Sequence, residues 1–479
     1  MGWGDKKLSD SDFESLNISS NLMTRHCLGI AATGGGKSNF LNLILKQQMM
    51  SGGGAIHIDG KANREEILKF LNLARQHDRW QDVRIINISD SSISNTYNPL
   101  LRGDNDEITS RIMQLLDGKG DPYFRGQAAR GMRAIAGMLT AIGLPFNFGD
   151  LNVLMSNESA MRWMLLNGPK ETKEYRDFKI FLDQMMEVDR RTGQQIINEK
   201  KMQHTFGDLA SRLHSYYVNE AGKVLNEYSP ELDIYDAIKN NLLVYVSLPM
   251  LSKSEIAVDF AKFLVSDIRT AIGQVQNDDY KPSPTFLILM DEFSSYAQSS
   301  LAPVFEQARS SNICLFPFIQ TYSSLKDKDR GLSDDFAAKI FGNTWNKISF
   351  LLQESESCEV MSQIAGESLQ KSVSESFSES LSFASGDDDS SALRAGGRGR
   401  GFGKSISYAY DKIVRPEDFR TLKDGEALYI GRNSVVKIQV PLLSFNNDNK
   451  ELDFPRFRMP DKQGLDIASK YNTFAHDKS

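Results

Sequence analysis

One glycine-rich stretch near the start of the chain constrains the fold more than any other feature. Residues 31–38 read AATGGGKS, after an apolar run typical of a strand and before a run typical of a helix. Small residues let successive backbone N–H groups curl around a phosphate chain, and the following helix presents its positive end to that chain. The pattern predicts a phosphate-binding loop, although Ala31 stands where such loops usually begin with glycine. A glycine-rich turn with a chance Lys-Ser pair is the alternative.

Each residue type in such a loop has a chemical reason. Lys37 is expected to reach the β- and γ-phosphates of ATP, and the Ser38 hydroxyl is expected to hold Mg²⁺. The sequence therefore predicts ATP and Mg²⁺ as the ligands of the loop. The residues predicted to line the nucleotide are Thr33, Gly34, Gly35, Gly36, Lys37, Ser38 and Asn39.

Length and composition indicate a soluble protein of several units. The chain has 479 residues, which is too long for one ordinary core, so about two or three units are expected. The formal net charge of −6 argues against a surface coated in basic residues, so any nucleic-acid contact needs a local basic patch or a pore. The three cysteines are far apart, which fits a reducing compartment without a disulfide framework. No transmembrane run and no signal peptide are expected from the sequence.

Strands and helices alternate in the first part of the chain. Strands are predicted at 25–32, 55–59 and 83–88, with a helix across 63–77. Alternation of this kind is typical of a parallel α/β sheet.

The pattern changes after the third strand and later returns. From 104 to 238 strand signals are few, and apolar residues recur at spacings of three and four, which predicts an all-α insertion. Sheet character returns after this segment. The nucleotide-binding unit is therefore expected to consist of residues 25–103 and 239–445.

A second nucleotide-binding signature lies far downstream of the glycine loop. Residues 285–292 read TFLILMDE, which predicts a buried strand that ends in two carboxylates. The carboxyl ends of parallel strands meet at one edge of a sheet, and this would place the acids beside the loop. Asp291 is expected to hold Mg²⁺ through water, and Glu292 to polarise the water that attacks the γ-phosphate. An acidic strand end that faces solvent is the alternative.

Two polar residues near the next strand complete the set of candidates. Residues 313–319 predict a further buried strand that ends at Gln320, and a helix near 302–310 carries Arg309. Gln320 could sense the γ-phosphate, and Arg309 could be an arginine finger supplied to a neighbouring subunit. From spacing alone, an exposed helix arginine needs no such role.

The remaining ranges are assigned from composition. Residues 1–24 are interpreted as a polar N-terminal arm, and residues 446–479 as a polar, extended tail. Residues 367–405 are rich in Ser, Asp, Gly and Arg, a composition that cannot build a core and that indicates a mobile insertion. Its Gly/Arg part could touch nucleic acid, but a flexible hairpin tip or linker is the preferred interpretation.

The order of these motifs resembles that of one family, the type IV secretion coupling proteins, which are TraG/TraD-type ATPases. The resemblance runs from about residue 26 to residue 443. It rests on the entry strand, an Asp-x-Lys after the second strand, the Asp-Glu-Phe, the arginine-strand-glutamine block and a C-terminal segment. The residues concerned are 25–29, 59–61, 291–293, 308–320 and 414–427.

The resemblance implies a RecA-like P-loop ATPase domain with an inserted all-α domain, assembled as a homo-hexamer with ATP at the subunit interfaces. It implies the finger role for Arg309 and the sensor role for Gln320. It also implies a location at the cytoplasmic face of the bacterial inner membrane, with the inner-membrane components of a type IV secretion system as partners. The implied substrates are a DNA-relaxase complex or secreted protein effectors, which would meet the all-α domain.

Two features depart from the family pattern. Family members usually carry a transmembrane segment before the glycine loop, and none precedes it here, so the anchor is expected either to have been trimmed or to come from a partner. The insertion at 367–405 also has no assignment from the family pattern.

Three functions remain as hypotheses from the sequence. The leading one is a motor that uses ATP hydrolysis to move DNA or protein substrates toward a secretion channel. A double-stranded DNA translocase of the FtsK/HerA kind shares the motor core, but the helical insertion and the DGEA segment at 424–427 favour a coupling protein. The third is a docking platform that binds nucleotide for assembly and gathers adaptors and effectors.

Overall fold

The computed structural model of the protein describes residues 16–116, 121–191, 193–250, 254–328, 331–382, 397–432, 434–445, 452–457, 459–460 and 463–471. Its strands are β1 Cys27–Ile30, β2 Ala55–Asp59, β3 Val83–Asn87, β4 Met186–Val188, β5 Gln195–Ile197, β6 Leu243–Ser247, β7 Phe286–Met290, β8 Ile313–Ile319, β9 Asn346–Ser349, β10 Glu367–Ser382, β11 Gly397–Lys412, β12 Glu426–Ile430 and β13 Val435–Gln439.

The α-helices fall into three groups along the chain. Before the helical unit they are α1 Ser20–Met23, α2 Lys37–Met50 and α3 Arg64–Gln76. The helical unit comprises α4 Asn105–Met113, α5 Pro122–Ile142, α6 Phe148–Ser156, α7 Glu158–Asn167, α8 Lys173–Met185, α9 Glu199–Val218, α10 Glu220–Leu225 and α11 Ile234–Lys239. After it come α12 Ser254–Asn277, α13 Ala302–Gln307, α14 Asp334–Asn343, α15 Ser355–Ala365, α16 Pro416–Arg420 and α17 Ile467–Tyr471.

Nine strands form one mixed sheet in the order β13-β12-β9-β1-β8-β7-β2-β6-β3. The seven strands from β9 to β3 are parallel to their neighbours, and β12 and β13 add an antiparallel edge. β1 lies inside the sheet, between β8 and β9. The loop that follows β1 therefore opens at the carboxyl edge of the parallel strands, where α/β sheets bind their ligands.

Side chains alternate between the two faces of each strand, and both faces of the sheet are buried. Ile30 of β1 belongs to the larger apolar cluster, whereas the next residue, Ala31, belongs to the smaller one. Phe40 of α2 and Phe70 of α3 pack into the smaller cluster, and Phe260 of α12 packs into the larger one, which also includes the helical unit. The sheet thus has α2 and α3 on one face and α12 with the helical unit on the other.

The helical unit contains one feature that the all-α prediction lacks. Strands β4 and β5 pair as a short antiparallel hairpin between α8 and α9. The backbone of Asp189 accepts a hydrogen bond from Gly193 at 2.8 Å and donates one to Gln194 at 2.9 Å, so a tight turn reverses the chain there. Over the described ranges, no helix combines the length and hydropathy that a membrane span requires.

A long hairpin occupies most of the predicted mobile insertion at 367–405. Strands β10 and β11 pair in an unbroken antiparallel register from Glu367 opposite Lys412 to Ser382 opposite Gly397. No strand is predicted here from the sequence, because the serine and glycine content hides a regular alternation. Residues 383–396 of the insertion lie outside the described residues.

Parts of the two predicted termini lie outside the described residues, namely 1–15, 446–451, 458, 461–462 and 472–479. The described part of the tail is extended at 452–457 and then differs from the prediction, because it forms the short helix α17. The carboxylate of Asp150 in α6 accepts hydrogen bonds from the backbone N–H groups of Ile467 and Ala468 at 2.8 and 3.1 Å. The tail is thereby fixed to the helical unit.

Candidate nucleotide-binding site

The glycine loop has the backbone that its sequence requires. Gly34 and Gly36 have φ values of 91° and 92°, which side-chain-bearing residues rarely adopt. A Cβ on Gly36 would also lie 3.2 Å from the backbone nitrogen of Gly425, so the segment before β12 packs against the loop. Ala31 continues the sheet pairing by donating to the carbonyl of Ile319 at 3.1 Å, and alanine fits that role as well as glycine would.

Lys37, the first residue of α2, meets both predicted carboxylates. Its Nζ lies 2.6 Å from Oδ1 of Asp291 and 3.1 Å from Oε1 of Glu292. Burial opposes the charge on Lys37, but the two neighbouring carboxylates raise the pKa of the ammonium above its ordinary value. The lysine is therefore charged, and it lies at the start of a helix whose N–H groups point toward the same space. Ser38 follows it directly in α2.

Glu292 adopts an uncommon backbone conformation. Its φ and ψ are 52° and 35°, which lie in the left-handed region. A residue with a side chain pays free energy to adopt this conformation, so the surroundings of Glu292 must hold it there. The N–H of Glu292 donates to Oδ1 of Asp291 at 2.8 Å, and the buried hydroxyl of Tyr296 donates to the carbonyl of Asp291 at 2.9 Å. These bonds fix the peptide that joins the two acids.

Close packing against Gly60 also orients Glu292. A Cβ built on Gly60 would lie 3.0 Å from both Cβ and Cγ of Glu292, which is closer than such carbons normally approach. Gly60 follows β2, whose last residue, Asp59, accepts from the Tyr245 hydroxyl at 2.7 Å. The absence of a side chain at Gly60 therefore leaves the space that the Glu292 side chain occupies. Neither Gly60 nor Tyr296 carries a local sequence signal for such a role.

Gln320 completes the cluster at the carboxyl edge. It follows β8, and its Nε2 donates to Oε2 of Glu292 at 2.8 Å. The structure thus brings Lys37, Asp291, Glu292 and Gln320 together, with hydrogen bonds or ion pairs linking each of them to the next.

Asn39 differs from the prediction in one respect. Its side chain donates to the carbonyl of Pro441 at 2.8 Å and accepts from the N–H of Leu443 at 3.0 Å. The side chain is hydrogen-bonded to the segment after β13, so only the backbone of Asn39 is left to bind a phosphate.

Arg309 does not join this cluster. It lies in a short 3₁₀ turn before β8, whereas Gln320 follows β8, so the seven-residue strand separates them. At about 3.3 Å per residue, the strand places Arg309 and Gln320 about 20 Å apart, so Arg309 lies at the amino edge of the sheet. There it lines a cavity of about 610 Å³ together with Thr24, Lys281 and Glu306.

Other cations lie near this amino edge. The guanidinium of Arg25 stacks on the ring of Trp345 at 3.8 Å, and that of Arg432 approaches the same ring at 5.2 Å. Burial and the nearby Arg309 both oppose a charge on His26, and the pKa of this histidine is lowered to about 4. An Arg309 side chain at such an edge can serve another subunit but cannot reach the loop of its own chain.

His26 attaches β1 to the segment that carries Arg309. Its Nε2–H donates to the carbonyl of Phe305 at 2.8 Å, and its Nδ1 accepts from the N–H of Leu315 at 3.1 Å. Both ring nitrogens are used in the neutral form. The sequence shows His26 only as the start of a strand, so this long-range contact could not be found from it.

Comparisons with known proteins agree with this fold. The family described as the TraM recognition site of TraD and TraG matches residues 285–424. The type 4 coupling protein DotL of Legionella pneumophila is 23% identical over 476 residues, which cover 89% of this chain and 58% of DotL. This chain therefore spans a little over half the length of that relative.

Solved structures of the plasmid coupling protein TrwB share the fold. An unbound form of TrwB lacking its N-terminal part has a TM-score of 0.61 at 16% identity, and the match covers 90% of this chain and 87% of that one. A TrwB complex with ADP and Mg²⁺ gives the same score and identity and covers 88% of its own chain. This chain therefore has the fold of the TrwB structures, a mostly parallel α/β sheet with added helices. The family match, the relative and the shared fold agree with the resemblance seen in the motifs, and the proteins to which this chain is similar are type IV coupling proteins.

Proposed function

We propose that the chain is an ATPase that hydrolyses ATP at the carboxyl edge of the sheet and uses the energy to move substrates toward a type IV secretion channel. The observation that carries this proposal is the convergence of Lys37, Asp291, Glu292 and Gln320 on the glycine loop. Each of these residues has the type that phosphoryl transfer to water needs in that place.

The loop and its neighbours supply the groups that ATP and Mg²⁺ require. The Ser38 hydroxyl and the Asp291 carboxylate are oxygen ligands of the kind Mg²⁺ prefers; Ser38 follows Lys37 in α2, and Asp291 pairs with Lys37. Bound Mg²⁺ would neutralise the charge that develops on the phosphates. Lys37 now neutralises the two acids, and it would turn to the β- and γ-phosphates when nucleotide is bound. The TrwB complex with ADP and Mg²⁺ supports this choice of ligands.

Glu292 would orient and deprotonate the attacking water, and Gln320 would report on the γ-phosphate through its bond to Glu292. Arg309 would act on the nucleotide of a neighbouring subunit, since it lies at the opposite edge of the sheet. This arrangement requires a ring, and a homo-hexamer at the cytoplasmic face of the inner membrane is the assembly that we infer. Its substrates would be a DNA-relaxase complex or secreted effectors, delivered to the inner-membrane components of the secretion system.

The first test is ATP turnover by the purified protein, with and without single-stranded DNA, beside Glu292→Gln. The unmodified protein should turn over ATP, and Glu292→Gln should lower the rate by about 100-fold or more, because it removes the general base. Fluorescent-nucleotide binding should be retained in the variant, since Lys37 and the loop are intact. Equal turnover by the two proteins would refute the assigned role. Light scattering on the same samples shows whether an inactive protein is merely monomeric.

A subtler prediction concerns Gly60. Gly60→Ala should lower kcat by about 10-fold or more with little change in KM, because the added methyl group pushes the Glu292 side chain out of line while the loop remains intact. The matched control is Gly273→Ala, since Gly273 lies in α12 with open space beside it. Steady-state ATP kinetics on both variants provide the measurement. A Gly60→Ala enzyme with an unchanged kcat would show that Glu292 tolerates the displacement.

A further inference from the structure

The β10–β11 hairpin carries large exposed side chains on one face. The register places Leu369 opposite Tyr410 and Phe377 opposite Phe402. Because side chains alternate along a strand, these four residues and Tyr408 share one face of the hairpin. Phe402 is 84% exposed, Tyr410 73% and Tyr408 63%, so the rings project into solvent.

The described side chains on the opposite face are small. A Cβ on Gly401 would lie 2.9 Å from Oγ of Ser378, its partner across the hairpin, and Gly403 follows on the same side. A two-stranded hairpin is only marginally stable in water, and exposed apolar surface on such an element marks an interaction site. The aromatic face is therefore the one that a binding partner would cover.

Cations and aromatic rings share one face of β11. The residues of this strand that share the aromatic face and whose side chains are described are Arg400, Phe402, Lys404, Tyr408, Tyr410 and Lys412. The register places Glu367, Glu375 and Glu379 of β10 opposite Lys412, Lys404 and Arg400. Across the hairpin, Glu379 pairs with Arg400 at 3.5 Å, and Glu359 of α15 pairs with Lys412 at 3.2 Å. Both pairs are partly exposed to solvent, and such pairs contribute little, so a phosphate can replace the carboxylates at small cost.

We propose that this face of the hairpin binds single-stranded nucleic acid. Bases would stack on Phe402, Tyr408 and Tyr410, and phosphates would contact Arg400 and Lys404. Rings and cations on one face of an exposed strand are the combination that single strands require, because every base has a face that stacks and every nucleotide carries a charge.

The combination of rings and cations also favours nucleic acid over a protein segment as the partner. Among the side chains that the structure describes on this face, five are large, apolar and exposed; four of these are aromatic and one, Leu369, is aliphatic. An apolar peptide strand would be matched better by aliphatic side chains, and it would gain nothing from the cations. The proposal deepens the proposed function, on which it rests for its biological setting, because it selects DNA as the substrate class.

The test is the fluorescence anisotropy of a labelled 20-nucleotide oligo-dT titrated with the full chain. Replacing both tyrosines, Tyr408→Ala with Tyr410→Ala, should weaken binding by about 5- to 150-fold for each ring removed, whereas the corresponding Phe replacements should bind nearly as well as the original. Arg400→Gln with Lys404→Gln should lower the slope of log Kd against log salt by about 0.7 for each phosphate that no longer pairs with a cation. Leu166→Ala is the matched control, because this leucine is 72% exposed on the helical unit.

Each result decides the question. Equal oligo-dT affinity in the tyrosine double variant and the control would overturn the proposal. An unchanged affinity accompanied by a smaller assembly in light scattering would also overturn it and would assign the face to contacts between copies. Binding is measured without ATP, so a failure of the ATPase role leaves this test intact. Basal turnover of the tyrosine variants without DNA should match that of the original protein, which shows that they are folded.

Discussion

Co-expression of two inactive variants, Arg309→Ala and Glu292→Gln, is expected to restore about a quarter of the ATP turnover of the unmodified assembly. ATP turnover should be at least about 1,000-fold lower in Arg309→Ala alone and at least about 100-fold lower in Glu292→Gln alone. The recovery follows from geometry. A site is complete when its own subunit supplies Glu292 and the neighbour supplies Arg309.

The amino-edge position of Arg309 is the reason to expect this complementation. Arg309 and Gln320 lie at opposite ends of β8, so one chain cannot place both beside the same phosphate. In a ring with head-to-tail contacts, the amino edge of one subunit can meet the carboxyl edge of the next. With the variants mixed equally, half of the sites retain Glu292, and half of those face a neighbour that retains Arg309.

The control is co-expression of Arg309→Ala with the double variant that carries both changes. No subunit in that mixture supplies Arg309, so no turnover should return. Turnover that stays at the level of the separate variants in the first mixture would contradict action across the interface. Size-exclusion chromatography with two different affinity tags confirms that the mixed assemblies formed.

Sequence alone supports much of this site, because the site depends on one rule of parallel sheets. Strands that run in the same direction end at the same edge, so three apolar runs that end in the glycine loop, Asp291-Glu292 and Gln320 are expected to bring those residues together. The structure has them in contact. The roles of these residues in hydrolysis remain predictions that the experiments above test.

The features that sequence did not reveal depend on contacts between distant segments. The left-handed backbone of Glu292 is held by Tyr296 and by the space at Gly60, and neither can be found from periodicity. The strands β10 and β11 were missed for a different reason. Their serine and glycine positions suggest a segment without structure until the pairing register shows which side chains share a face.

A buried ion pair connects the helical unit to α12, which packs on the sheet. The Arg111 side chain in α4 is fully buried, and its Nη1 lies 3.2 Å from Oδ1 of Asp267 in α12. It also donates to the carbonyl of Pro99 and, at 3.0 Å, to the hydroxyl of Thr270. Burial raises the pKa of Asp267 to about 6, although Arg111 and the Tyr97 hydroxyl both favour its charged form.

Arg111→Met is expected to lower the free energy of unfolding by about 3–5 kcal/mol at pH 8, because it leaves the Asp267 charge buried without its cation. The folded-state pKa of Asp267 is above its unfolded value of 3.8, so the carboxyl group favours the folded state at low pH and loses that contribution as the pH rises through 6. The loss caused by Arg111→Met should therefore shrink at pH 5. Urea denaturation at both pH values measures it.

Two comparisons separate the buried charge from a general loss of packing. Adding Asp267→Leu to Arg111→Met should recover most of the stability, since the pair is then replaced by apolar side chains. Arg133→Met should change the free energy of unfolding by no more than about 1 kcal/mol, because Arg133 pairs with Asp106 at 3.1 Å on the exposed surface. A double variant as unstable as Arg111→Met alone would show that the guanidinium acts through the carbonyls and hydroxyl it binds rather than through Asp267.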